Sequence, residues 1–246
     1  CEFSRELAFT NNAGAQYEVS PELFEGAAKN ESTITFELVQ APVRTIAHWF
    51  AVSRQALDDA AALQQHIETQ GLYGLALEEE DQILNGDGTN GTLTGLVSSA
   101  TAFNRGATAD TKLDTIRKAI TQLALSEHIA TGIVLNPADW EEIELSKDTT
   151  GQYLSVVLNI NGQPQAWRVP VVPTNSMASG AFLVGDFQLA ARVRDRQQAF
   201  VQISLEHSDF FTKNLAAVLI EERIALEIHR GAGLITGSFH TAGQPG

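Results

Sequence analysis

The sequence is poor in cysteine, in basic residues and in long apolar runs. Its one cysteine, Cys1, leaves no internal disulfide framework and no multi-cysteine metal site, so a reducing interior is the default expectation. Lysine and arginine number 16 against 30 aspartates and glutamates, for a net charge of −14. A protein that grips nucleic acid through a broad face needs clustered Lys and Arg to neutralise phosphates, so that class is disfavoured. No apolar run approaches the length of a membrane span, and the first residues lack the basic-then-apolar order of a signal peptide. A soluble, intracellular, acidic protein with no membrane partner is expected.

Catalytic and ligand-binding patterns are missing as well. There is no GxSxG elbow and no cysteine-nucleophile motif. His48, His66, His128, His207, His229 and His240 fall in no metal-ligand spacing. Gly86-Asp87-Gly88-Thr89-Asn90-Gly91 satisfies GxGxxG literally. A dinucleotide loop, however, joins a strand to a helix so that phosphate meets the helix N-terminus. Here a helical pattern precedes and a loop follows, which reads as a helix C-cap plus turn. The same stretch lacks the central glycine and terminal glutamate of a calcium loop. Glu78-Glu79-Glu80-Asp81 points in successive directions around a helix and reads as a solvated or salt-bridging face. No cofactor and no metal are expected, and the chain does not read as an enzyme.

What is there begins with one long helical pattern, Ser53 to Gly88. Ser53 suits an N-cap, and Asp58 and Asp59 place negative charge near the positive end of the helix dipole. Leu57, Ala60, Ala61, Ile67, Gly71, Gly74 and Leu75 recur at the spacing of one buried face. Asn85-Gly86-Asp87-Gly88 supplies the stop. Such a rod spans roughly 45 Å. With 246 residues, 43% of them hydrophobic, the chain can form one large domain or two modest ones.

Strand patterns flank this helix. Glu2 to Phe9 and Thr33 to Leu38 read as strands joined by a polar segment, Asn11 to Ser32, which describes a projecting hairpin arm. An arm of this kind cannot bury itself, so its order depends on a partner. Val43 to Val52 is a further strand. Leu113, Ile116, Ala119, Ile120 and Leu123 mark a second helix with Asp110 as its cap. Ile133 to Leu135 is a short buried strand, and Asn136-Pro137 starts a helix with Asp139, Glu141 and Glu142 in its first turn. Gly151 to Gln165 reads as an exposed loop or ribbon. Val169 to Pro173, Ala181 to Val184 and Val201 to Glu206 read as strands. Leu215 to His229 has helix-like composition, yet Val218, Ile220, Ile224, Leu226 and Ile228 share one parity, so a long strand is expected.

The order of these parts resembles the major capsid protein family of tailed bacteriophages, the Hong Kong 97 type. The carrying stretches are Phe9-Thr10-Asn11-Asn12, Glu25-Gly26-Ala27-Ala28-Lys29-Asn30-Glu31-Ser32 and Thr45-Ile46-Ala47-His48-Trp49. Ser53-Arg54-Gln55, Tyr73-Gly74-Leu75-Ala76-Leu77 and Leu84-Asn85-Gly86-Asp87-Gly88-Thr89 continue them. Gly132-Ile133-Val134-Leu135-Asn136-Pro137, Pro170-Val171-Val172-Pro173-Thr174, Lys213-Asn214 and Glu221-Glu222-Arg223 complete the series. The resemblance covers nearly the whole chain.

It implies an α+β, Hong Kong 97-like capsid fold: an extended loop over residues 1–45, a peripheral domain with the spine helix over 46–85 and 196–222, and an axial domain over 86–195 and 223–246. Relative to the family pattern, the N-terminal arm and any scaffolding segment are missing, and the extended loop is longer around Ala15 to Phe24. The implied protein self-assembles as hexamers and pentamers of an icosahedral phage head. It encloses double-stranded DNA without specific binding, with portal, scaffold and protease partners, and it is assembled in the host cytoplasm. Alternatives are the shell of a nanocompartment or gene-transfer-agent particle, or an enzyme or ligand-binding domain on a mixed fold. Some family members weld their shells by an isopeptide bond between a lysine and an asparagine, assisted by a glutamate; Lys29, Asn214 and Glu221 match that trio. Gly86 and Gly88 become the stop and hinge between spine and axial domain.

Overall fold

The computed structural model describes residues 1–13, 30–55, 61–107, 110–147, 163–207 and 210–239. In chain order the elements are β1 (Glu2–Thr10), β2 (Thr33–Gln40), β3 (Arg44–Ser53), α1 (Ala61–Asn85), α2 (Leu96–Ser99), β4 (Thr101–Ala102), α3 (Lys112–Leu125), β5 (Gly132–Leu135), α4 (Pro137–Glu144) and β6 (Gln165–Ala166). There follow β7 (Val169–Pro173), β8 (Ala181–Gly185), α5 (Phe187–Ala190), β9 (Ala191–Ser204), α6 (Phe210–Lys213), β10 (Leu215–Ile228), a 3₁₀ turn (Gly231–Gly233) and β11 (Leu234–Ser238). The chain divides into two compact units, Cys1–Ala41 and Pro42–Gly246.

The first unit is an antiparallel ribbon of β1 and β2 with a bulge between Glu6 and Ala8. At its base the Cys1 nitrogen donates to the Ala41 carbonyl at 2.7 Å and the Ala41 N–H donates back to Cys1 O at 2.8 Å. Arg5 Nε donates to Glu37 Oε1 across the strands at 2.7 Å. Phe9 pairs with Ile34, and Phe36 and Leu38 follow at alternate positions of β2, so period-two sequence places these apolar side chains on one face. That face is open: Phe36 is 62% and Leu38 68% exposed. The polar segment around Ala15 to Phe24, and Lys29, lie outside the described residues.

The second unit holds two sheets. A six-stranded mixed sheet runs β4-β11-β8-β5-β7-β6, and a three-stranded antiparallel sheet runs β3-β10-β9. In the larger sheet Ile133 and Leu135 of β5 and Phe182 and Val184 of β8 face one core, built with Ile116, Ala119 and Leu123 of α3 and Trp140 and Ile143 of α4. Val134 and Leu183 face a second core with Leu75 and Leu84 of α1 and Val218, Ile220 and Leu226 of β10. Continuous apolar runs in β5 and β8 thus follow from burial on both faces. The long parity pattern of Leu215–Ile228 forms one continuous strand, because its even residues meet α1 while its neighbours pair on both edges.

Ser53 closes β3 and directly precedes helical residues 54 and 55; the expected first-turn residues Leu57, Asp58, Asp59 and Ala60 lie outside the described residues, and the described rod is the 25-residue α1. Some other boundaries differ from the sequence reading, for local reasons. Asp110 is not the cap of α3. Thr111 is, accepting from Asp114 N while Asp114 answers to the Thr111 N–H, a complete capping box. Asp110 instead accepts from Ala107 N–H and from Lys118 Nζ at 2.6 Å. The expected strand at Val201 is the end of a longer one, since β9 pairs along β10 from Ala191 onward. Asn136 does cap α4, accepting from Ala138 N at 3.0 Å with Pro137 in the first turn.

Within α1, Gly71 sits where helix and sheet come too close for a side chain. A Cβ there would lie 1.9 Å from Ile220 Cδ1. The same approach lets His48 Nε2 donate to the Gly71 carbonyl at 2.9 Å. Replacing Thr111 by Ala removes the α3 cap, for which about 1 kcal/mol is typical. We expect the thermal midpoint to fall by about 2–4 °C with no change in the circular-dichroism spectrum at low temperature.

Candidate crosslinking and assembly surface

The three-stranded sheet has one covered face and one open one. Directly paired residues of antiparallel strands share a face. Val218 and Ile220 point towards α1 and are buried. On the other side Leu219 is flanked by Trp49 and Gln202, and Glu221 by Ala47 and Phe200. Glu221 therefore stands half-buried on an open, largely apolar strip, with Trp49 52% exposed nearby on the same face. Trp49 also stacks at tilted angles against His207, 5.2 Å between centroids, and Phe210, 6.1 Å. No sequence spacing links residue 49 to residues 207 and 210; only the β3–β10 pairing brings them together.

Asn214 occupies the corner between α6 and β10. Its φ is +51°, a left-handed conformation that asparagine tolerates better than most residues. Its carbonyl accepts from the Arg54 N–H at 2.9 Å, and its side chain is exposed. It lines a cavity of about 640 Å³ with Arg54, Leu205, Glu206, Phe210, Phe211 and Leu215. Asn214 and Glu221 are not brought together within the chain. Asn214 immediately precedes β10 and Glu221 lies along it, so the two are separated by about 23 Å at strand spacing.

Gly86 and Gly88 lie in the turn after α1. Gly86 N donates to Gln82 O at 3.1 Å, and a Cβ at Gly86 would lie 2.3 Å from the Leu93 carbonyl oxygen. Gly88 has φ +75° and donates to Leu93 O at 2.8 Å. Between them the Asp87 carboxylate accepts from Thr89 N at 2.9 Å, Thr89 Oγ1 at 2.6 Å and Thr92 Oγ1 at 2.5 Å. The Thr89 hydroxyl, then the Thr92 hydroxyl and the Thr89 N–H, hold the Asp87 acid down at about 2. The GxGxxG glycines thus wrap one of the chain's own carboxylates. Among the described residues no group of three or more His, Cys, Asp or Glu side chains is placed to hold a metal ion, and no helix is long and apolar enough to cross a membrane.

The model of the phage capsid family matches residues 2–239. The chain belongs to that family. It is 48% identical over 246 residues to the major capsid protein of Enterobacteria phage HK97, an alignment covering 97% of this chain and 60% of that protein. The chain therefore spans about three-fifths of that relative's length. The fold matches the capsid of an empty GTA particle with a TM-score of 0.71 at 17% identity, covering 98% of this chain and 85% of the other. A structure from Mycobacterium phage Bobi gives 0.72 at 15% identity, covering 97% and 84%. At these identities the likeness speaks for the fold alone, a Hong Kong 97-like mixed arrangement of helices and strands.

Valine at Gly86 meets a backbone carbonyl, and valine at Gly88 meets a left-handed φ that β-branched residues avoid. Each substitution should lower the thermal midpoint by at least about 2 °C, read by calorimetry. Unchanged midpoints in both would contradict the tight packing of this turn.

Proposed function

We propose that this chain is a shell subunit that assembles through hexamers and pentamers into an icosahedral phage head enclosing double-stranded DNA. Family membership and the HK97 relative support the reading, and that family is structural rather than enzymatic. The observation that carries it in the molecule itself is the Cys1–Ala41 ribbon. A two-stranded ribbon is marginal alone in water, and this one holds Leu7, Phe9, Ile34, Phe36 and Leu38 about half or more exposed. A neighbouring copy supplies the missing cover, as the extended loop of one subunit lies over the next.

In this reading residues 1–45 are the extended loop, 46–85 and 196–222 the peripheral domain, and 86–195 and 223–246 the axial domain. Gly86 and Gly88 are the joint where the spine hands over. Portal, scaffold and protease partners, and assembly in the host cytoplasm, belong to the same proposal. The acidic balance suits a container that holds DNA without gripping it.

The welding reaction is part of the proposal. Lys29 of one copy, once deprotonated, attacks the side-chain amide carbon of Asn214 on another. A C–N bond forms, ammonia leaves, and Glu221 accepts the lysine proton. The apolar strip around Glu221 favours the neutral amine by limiting hydration of the charge. The separation of Asn214 from Glu221 along β10 requires groups from different copies.

Electron microscopy of the purified full chain should show closed shells, and Phe36→Asp should abolish them while leaving the subunit's circular dichroism unchanged. A persistent wild-type monomer under all assembly conditions would sink the shell reading. On a denaturing gel, welded shells should run as ladders that collapse to 26.6 kDa in Lys29→Arg. Shells that boil to monomer in the wild type would remove the crosslink and leave the shell intact as a proposal.

A further inference from the structure

Next to Glu221, and facing the opposite way, Glu222 is buried between the three-stranded sheet and α1, with only 6% of its surface exposed. Its Oε1 has no hydrogen-bond partner. A buried ionised carboxylate with an unpartnered oxygen is among the costlier groups a fold can carry. The surroundings make it worse: Glu79 from α1 and Asp195 from β9 both act on it electrostatically with the same sign.

The other charged groups on this side do not neutralise it. On β3, Glu222 is paired directly with Ile46. The flanking Arg44 directs its Nε to the Thr92 carbonyl at 3.1 Å, and His48 gives its Nε2 to the Gly71 carbonyl at 2.9 Å. On α1 the acids next to Glu79 are Glu78, exposed and lining a separate groove with Arg44, Ile46 and His48, and the half-buried Glu80. On β10 itself Glu221 and Arg223 point to the opposite face by strand alternation.

The backbone is irregular at the same place. Pairing of β10 with β9 slips between Glu221 and Arg223 and again between Arg223 and Ile224, whose partners are Phe200, Gln197 and Asp195. Each slip puts an extra residue into β9, and bulges bend a ribbon and raise its twist. Helix, bent ribbon and three carboxylates therefore meet at one joint.

We propose that Glu222 is a proton switch at the joint between α1 and the three-stranded sheet. Protonated, its carboxyl is neutral in the buried joint and leaves helix and ribbon packed together. Ionised, it sets three acids against one another and loosens the joint. Burial, then the Glu79 and Asp195 charges, push this acid up to about 7, against an ordinary carboxylate value of 4.5. Glu79 is itself raised, by burial and then by Asp195. An acid raised in the folded state is stabilising in its protonated form. The folded chain therefore loses stability as pH climbs from the ordinary carboxylate range to about 7, and the loss is complete above it. The switch belongs to the folded subunit and does not depend on the shell reading.

The test compares thermal unfolding of the full chain with that of its Glu222→Gln variant from about pH 5 to about pH 8. The variant keeps the shape and cannot ionise. At the acid end the two midpoints should coincide; at the alkaline end the variant should be several degrees higher. Histidine contributions are common to both proteins and cancel in the difference. Parallel curves overturn the proposal. Infrared difference spectra supply a reading that a purely structural role would not move: a protonated-carboxyl stretch that disappears near neutrality in the wild type and is absent from the variant. If Glu222→Gln does not fold, Glu79→Gln decides. Removing that neighbouring charge should move the wild-type transition to lower pH, and an unmoved midpoint overturns the switch.

Discussion

Everything in the second unit depends on a sheet whose central strands are apolar on both faces. Ile133 and Leu135 of β5 need cover on one side and Val134 on the other, and β8 repeats the demand with Phe182, Val184 and Leu183. The helices α3 and α4 cover the first side by ordinary amphipathic packing. The second side cannot be closed by a helix alone. It takes α1 together with β10, so the long helix and the three-stranded sheet are drawn against it by a single need for burial. Gly71 marks how closely α1 and β10 come together, since only a hydrogen in place of a side chain fits against Ile220.

Among the described residues, the buried polar groups of this unit follow a consistent rule with one departure. Asp139, nearly fully buried, accepts from Lys112 Nζ at 2.5 Å and from Gly180 N at 2.7 Å. Gln122 accepts from Asn104 N and donates to Ala102 O. Glu227 takes Arg194 Nε at 3.1 Å. Each such group offsets its desolvation with a partner. Glu222 breaks the pattern, and it does so where α1 meets the bulged part of the ribbon.

Much of this was readable from the chain. Period-two runs marked β2 and the contested Leu215–Ile228 stretch, because strands report burial through alternation regardless of helix propensity, while short continuous apolar runs marked β5 and β8. Asn136-Pro137 announced α4 since both residues act locally. Asp110 misled because Asp and Thr are both good caps and the choice rests on Asp114 closing the box with Thr111. The reach of β9 back to Ala191 was hidden: Arg192, Arg194 and Arg196 are polar positions on an edge strand, and only pairing with β10 orders them. The aromatic group of Trp49, His207 and Phe210 was invisible for the same reason. Glu222 falls within the apolar parity run of β10, and no local pattern tells a buried, unpartnered acid from an exposed one.

Alternation along β10 has a further consequence. Glu221 and Glu222 are neighbours in the chain but belong to different environments, one facing outward onto an open surface and one inward against a helix. What separates them is parity alone. Substitutions along the strand can be absorbed side chain by side chain. A single inserted or deleted residue between Asn214 and Glu221 would turn the strand over, carrying one acid out and the other in. For this ribbon the number of residues is thus a stricter inheritance than their identity, and the bulges that adjust its pairing sit on β9, leaving the count along β10 untouched.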